Sequence, residues 1–234
     1  MLLSYVARSC AIYGIINVRQ VFAMRIIIIY VLVLFCMPLS AQNQTMGNLF
    51  RQMPDSLMPY LSQGNRLDLI DFVESGMESK VTNSFDENVR LTRLTPDYLM
   101  LELSPSSSLE MKLLPYEGDA FGDTVRSVIC VVTTVGAETK ESTVSFYTLG
   151  WKQLPSDGMI APCLSQIISG LQSEDSDTRR ILAPCFLSAS LVPEDVTLEV
   201  TVSSSFFSLE EKDKKTPLEL QKTLKWNGKT FKEV

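Results

Sequence analysis

The chain has 234 residues, a formal net charge of −6, 45% hydrophobic residues and no histidine. Without histidine, no Ser-His-Asp or Cys-His arrangement can form, and the commonest transition-metal ligand is missing. The acidic balance repels the phosphate backbone, which argues against nucleic acid as a partner.

Near the N-terminus, Arg25 precedes an apolar run over residues 26–39 that carries Pro38 near its end, and the small residue Ala41 follows. This is the pattern of a secretory signal peptide. The run has 14 residues, short of the roughly 20 that a membrane-spanning helix needs. The pattern predicts export to the periplasm with cleavage after Ala41. A second apolar patch at 13–18 has no place in such a signal. Residues 1–23 therefore read as a miscalled extension before a true start at Met24. The competing reading is one uncleaved anchor built from both patches. Cys36 follows bulky Phe35, which does not suit a lipid-attachment site.

Cleavage would leave residues 42–234. Arg8, Arg19 and Arg25 leave with the signal, so the mature charge falls from −6 to −9. Cys130, Cys163 and Cys185 remain, an odd count that cannot pair fully within one chain. Cys163 and Cys185 each end an Ala-Pro-Cys tripeptide. An oxidising periplasm permits a bridge between them, and three buried thiols are the alternative.

In chain order, residues 46–51 predict a short helix carrying Leu49 and Phe50. Segment 54–61 is interrupted by Pro59. Asn65 is placed to cap a helix over 66–77, with Leu67, Ile70, Val73 and Met77 on its core face and Leu69 and Phe72 widening it. Strands follow at 89–94, 98–103, 109–114, 127–134 and 142–149. The run 127–134 is continuously apolar and predicts a central strand, the last two runs forming a hairpin. A second helix is expected at 163–171 and a helical turn at 178–182. Strands recur at 186–191, 196–202 and 219–226, and Asn227-Gly228 is a turn signal before the closing segment 229–232.

The halves resemble each other. Leu94-Thr95-Pro96-Asp97 and Leu191-Val192-Pro193-Glu194 lie 97 positions apart, as do helix positions 66–74 and 163–171. Thr148-Leu149-Gly150-Trp151 resembles Thr223-Leu224-Lys225-Trp226 at a shift of 75. The fold expectation is α+β: two similar helix-plus-antiparallel-sheet units in tandem, 42–155 and a shorter 156–234, sharing one sheet so that each thin core is covered. Chance similarity between strands bounded by proline is the alternative.

The chemistry-bearing candidates are sparse. Glu174, Asp175 and Asp177 lack the spacing of a calcium loop. Asp68, Asp71 and Glu74 read as the solvent face of a helix or as an acid–base pair. There is no Gly-rich phosphate loop, Gly-x-Ser-x-Gly elbow or Ser-x-x-Lys pair. No catalytic, metal or cofactor residues are assigned, and no cofactor is expected. Trp151 and Trp226 read as core or sheet-edge residues. Asp55 and Ser56, between helix-breaking prolines, form a candidate partner surface or a structural turn that starts the first helix.

Met53-Pro54-Asp55-Ser56-Leu57 with Pro59, Leu49-Phe50, Asn65-Arg66-Leu67-Asp68, Lys112-Leu113-Leu114-Pro115 and segment 142–151 resemble an uncharacterised family of exported Bacteroidales proteins, a domain of unknown function. That family assigns no catalytic residues, so none is carried over. The repeated helix-plus-sheet pattern is also similar to periplasmic modules shaped like a beta-lactamase inhibitor protein, an analogy of fold alone. Together these point to a non-enzymatic periplasmic module that binds an envelope protein or ligand. A carboxylate-dependent hydrolase of envelope glycans is the rival, because two acids suffice for that chemistry. A purely structural envelope component is the third reading.

Overall fold

The computed structural model describes residue 25 and residues 44–118, 125–160, 185–204 and 218–234. Within the described residues 44–118, two helices come first, α1 (Met46–Arg51) and α2 (Gln63–Glu74), with a 3-10 turn at Asp55–Leu57 between them. Seven strands follow: β1 (Lys80–Thr82), β2 (Asn88–Leu94), β3 (Tyr98–Ser104), β4 (Ser107–Pro115), β5 (Ser127–Val135), β6 (Glu141–Tyr147) and β7 (Gln153–Leu154). They form one antiparallel sheet in sequence order. Strands β8 (Cys185–Leu191), β9 (Thr197–Ser204), β10 (Leu218–Trp226) and β11 (Phe231–Glu233) form a second antiparallel meander.

The described chain is mostly antiparallel sheet with few helices, as the α+β expectation has it. It differs on sheet sharing: the strands lie in two sheets, not one continuous sheet. The helix expected at 163–171 and the turn at 178–182 lie outside the described residues, as do Glu174, Asp175 and Asp177. Cys185 begins β8, and its candidate partner Cys163 also lies outside them.

The large sheet is covered on both faces. Met46, Leu49, Phe50, Leu69 and Ile70 pack against Val89, Leu91, Leu101, Met111 and Ile129 on one face. On the other, Val128, Cys130, Val132 and Phe146 meet Leu191, Leu198, Val200 and Trp226 of the second sheet. This accounts for the continuously apolar β5, which lies between β4 and β6 and is buried on both faces. Strand β2 alternates instead. Val89 and Leu91 are buried while Asn88, Arg90 and Thr92 are exposed, so only its helix-side face is covered.

Helix α2 begins earlier than its sequence suggests. Ser62 caps it, its Oγ accepting from Asn65 N at 3.2 Å. Asn65 lies inside the helix and donates Nδ2–H to Thr82 O at 2.8 Å. The buried face is Arg66, Leu69 and Ile70, while Leu67 and Met77 are 39% and 54% exposed. Arg66 takes the place expected of Leu67 because the turn before the helix points carbonyls inward. Its guanidinium donates to Leu61 O and Met53 O, each at 2.6 Å, and to Asp55 Oδ1 at 2.7 Å.

Strands β1 and β7 are absent from the sequence reading, being three and two residues long and too short for a periodic signal. Trp151 sits before β7 at φ +62°, a conformation rare for a bulky side chain and costing about 1–3 kcal/mol. Burial of the indole offsets this, together with its Nε1–H donated to Leu49 O at 3.0 Å. Trp151 and Trp226 are both core residues.

Candidate functional site

Among the described residues, the second sheet covers only part of the face it packs on. Paired residues of β2 to β7 point to that face in three rows. The first is Arg90, Glu102, Ser108, Thr134 and Ser142, each directly opposite the next across neighbouring strands. The second is Arg93, Met100, Glu110, Val132 and Val144. The third is Tyr98, Lys112, Cys130, Phe146 and Leu154. Burial rises from the first row to the third, and the first row is wholly polar. Its Arg90, Glu102, Ser108 and Thr134 line a groove of about 740 Å³, together with Glu87 and Asn88, the turn at Ser106, and Gly136 and Lys140 near the β5–β6 turn. The register shift between Leu91 and Arg93 brings both Arg90 and Arg93 onto this face.

The second sheet is held at the groove's border by side chains that occupy the outer edge of β8. Ser142 Oγ accepts from Ala189 N at 2.9 Å and lies 3.4 Å from Ala189 O. Thr134 Oγ1 is 2.7 Å from the same hydroxyl. A hydroxyl thus stands in for a neighbouring strand's amide and carbonyl, which blunts an edge otherwise open to strand addition.

Glu110 is the next fastening. It is 5% exposed and accepts from Leu191 N at 2.8 Å, Ser190 Oγ at 3.1 Å and Tyr98 OH at 3.1 Å. Burial pushes its carboxyl up, and these donors only partly oppose the rise. Lys112, also buried, donates Nζ–H to Pro193 O at 2.6 Å and pairs with Asp97 at 2.8 Å. Burial would raise Asp97, but the Lys112 and Thr95 hydrogen bonds outweigh it and hold the carboxyl low. Arg93 pairs with Glu194. Glu110, Lys112 and Arg93 therefore all grip the segment 190–194. The Leu-x-Pro-acid turns at 94–97 and 191–194 meet at this junction.

The sequence candidates fall elsewhere. Asp55 lies in the 3-10 turn and holds buried Arg66, and Ser56 is exposed beside it. Asp71 and Glu74 both accept from Arg51 at 2.8 Å, an ion bridge between α1 and α2 on the solvent side. Among the described residues no group of three carboxylates or thiols is placed to hold a metal ion. Cys130 is a free, fully buried thiol whose pKa burial pushes up, the core role expected of it. Sequence reading missed Glu110, Lys112 and the polar row. The strand at 109–114 was placed, but its polar positions were assigned no role.

A family described as "Protein of unknown function (DUF3256)" matches residues 38–231, and the chain belongs to it. A solved structure titled "Structure of a domain of an uncharacterized protein from Porphyromonas gingivalis W83" is similar at 24% identity and a TM-score of 0.61. That match covers 81% of this chain and 97% of the other, and it shows the fold alone. No curated protein matches the chain. No described helix is long and apolar enough to cross a membrane.

Proposed function

We propose that this DUF3256 member is an exported, non-enzymatic binding module of a Bacteroidales envelope, and that its ligand lies in the groove over the polar row. The carrying observation is the 740 Å³ groove beside a carboxylate, Glu110, whose oxygens are engaged in fastening two sheets. The sequence pattern ending at Ala41 supports export, and the first docked residues, Met46, Leu49 and Phe50, follow that point closely. Export predicts a mature protein whose N-terminal sequencing starts at Gln42; a product that keeps residues 26–39 would overturn it.

Binding is tested by placing a photocrosslinking residue at Ser106, on the groove rim, and at Asp68, on the helix side. In intact cells the Ser106 position should yield a defined envelope adduct that the Asp68 position does not. Identical products from both, or none from Ser106, would refute the groove as a binding site. The glycan-hydrolase reading draws on Glu87 and Glu102, which line the groove. Both are solvent-exposed, so nothing shields an acid–base pair from water. Release of reducing sugar by the purified protein, lost in Glu102→Gln, would establish that reading instead.

We also read the fold as a duplication. Asn88–Leu94 and Cys185–Leu191 are displaced by 97 positions at both ends. Each is followed by a proline turn and an antiparallel strand, and each meander closes with a short hairpin beside a Trp. The β4–β5 pair lacks a counterpart among the described residues of the second unit, which supports a shortening in its middle. The duplication pairs segment 163–171, which lies outside the described residues, with α2, and predicts slow amide exchange there. Fast exchange throughout that segment would count against duplication.

A further inference from the structure

We infer that the groove takes a neutral polysaccharide strand laid across β2 to β5; this rests on the groove being the binding site. The groove offers two cations, Arg90 and Lys140, and two anions, Glu87 and Glu102. Their charges cancel, so neither a polyanion nor a polycation gains from the local field. Arg90 is in addition 3.8 Å from Glu78, which spends part of its charge within the protein.

What the groove does supply is hydrogen-bonding capacity in a regular array. Arg90, Glu102, Ser108 and Thr134 stand on four adjacent strands in direct register. Adjacent strands lie about 4.8 Å apart, so the row repeats at that interval over roughly 14 Å. That interval is close to the length of one pyranose unit in an extended glycan. The guanidinium donates, the carboxylate accepts and the hydroxyls do both, so the row offers the two kinds of partner that a polyhydroxylated ligand requires. An extended peptide fits less well. Its partner would be an open strand edge, and the edge of β8 near the groove is occupied by Ser142 and Glu110. Met100 is the apolar wall of the groove and would meet the CH face of a sugar.

The test uses protein purified from cells that express the full chain, applied to immobilised neutral oligosaccharides of four or more units. At least one should be retained. Glu102→Gln and Ser108→Ala should each weaken retention, by about tenfold for the charged group. Both side chains are at least partly exposed, so unchanged thermal unfolding will show that the variants fold. Equal retention by parent and variants would overturn the assignment of these residues. If no neutral oligosaccharide is retained while the Ser106 crosslink yields a polypeptide, the glycan fails and the binding module stands. If none is retained and Ser106 captures nothing, both fall.

Discussion

Replacing Arg66 with Ala should cost about 3–5 kcal/mol, and the structure shows where that comes from. The side chain is 1% exposed. Its removal strands two inward carbonyls, Leu61 O and Met53 O, whose guanidinium contacts are each 2.6 Å. An unsatisfied buried acceptor costs about 1–3 kcal/mol, and the lost packing of the stem adds to this. Asp55→Ala acts differently. It leaves the carbonyl contacts and removes one carboxylate at 2.7 Å that is itself 66% exposed. Breaking a fully buried pair costs about 3–5 kcal/mol. Solvent at Asp55 screens this pair, so about 1–2 kcal/mol is expected. Ser56→Ala should change stability by less than about 0.5 kcal/mol. Urea unfolding monitored by tryptophan fluorescence measures all three, with a constant m value licensing the comparison. If Asp55→Ala is as silent as Ser56→Ala, Asp55 is not a structural support and a partner role for the box regains force. If Arg66→Ala is silent, the account of the helix start is wrong.

Three further outcomes follow from the junction between the sheets. Glu110 has a folded-state carboxyl raised by burial, so folding takes up a proton there. Its favourable contribution is full below the ordinary Glu range and is lost as pH rises through the raised value; Glu110→Gln should therefore gain stability relative to the parent as pH increases, read from unfolding midpoints over a pH series that starts at about 4. Ser142→Ala leaves the Ala189 amide without its 2.9 Å acceptor and should cost about 1–2 kcal/mol, with amide exchange at Ala189 accelerated; an unchanged exchange rate would show another group caps that edge. Cys130, fully buried, should resist alkylation in the native protein and react once unfolded, and rapid native labelling would contradict its place in the core.

The local elements were readable because their causes are local. Alternation in β2 and the continuous apolar run of β5 reflect one-sided and two-sided burial, and a strand's own residues carry that pattern. Proline turns at 96 and 193 punctuate the hairpins for a reason internal to the backbone. The amphipathic face of α2 was placed one position off because Arg66 counts as polar in any periodic pattern. Its burial depends on carbonyls contributed by residues 53 and 61.

The sequence by itself determined the longer strands, the export-like segment and the exclusion of histidine chemistry, since these depend on residue identity and short-range periodicity. Only the tertiary structure decided that the strands divide into two sheets, and that Glu110 and Lys112 fasten them while Glu102 and Ser108 stay open. All four alternate identically along β3 and β4. What separates them is where the second sheet ends, and that is fixed by contacts some 80 residues apart in the chain, such as Glu110 with Leu191 and Lys112 with Pro193. Among the described residues the polar row is left uncovered beyond β8, a fact about packing between distant segments that no local pattern encodes.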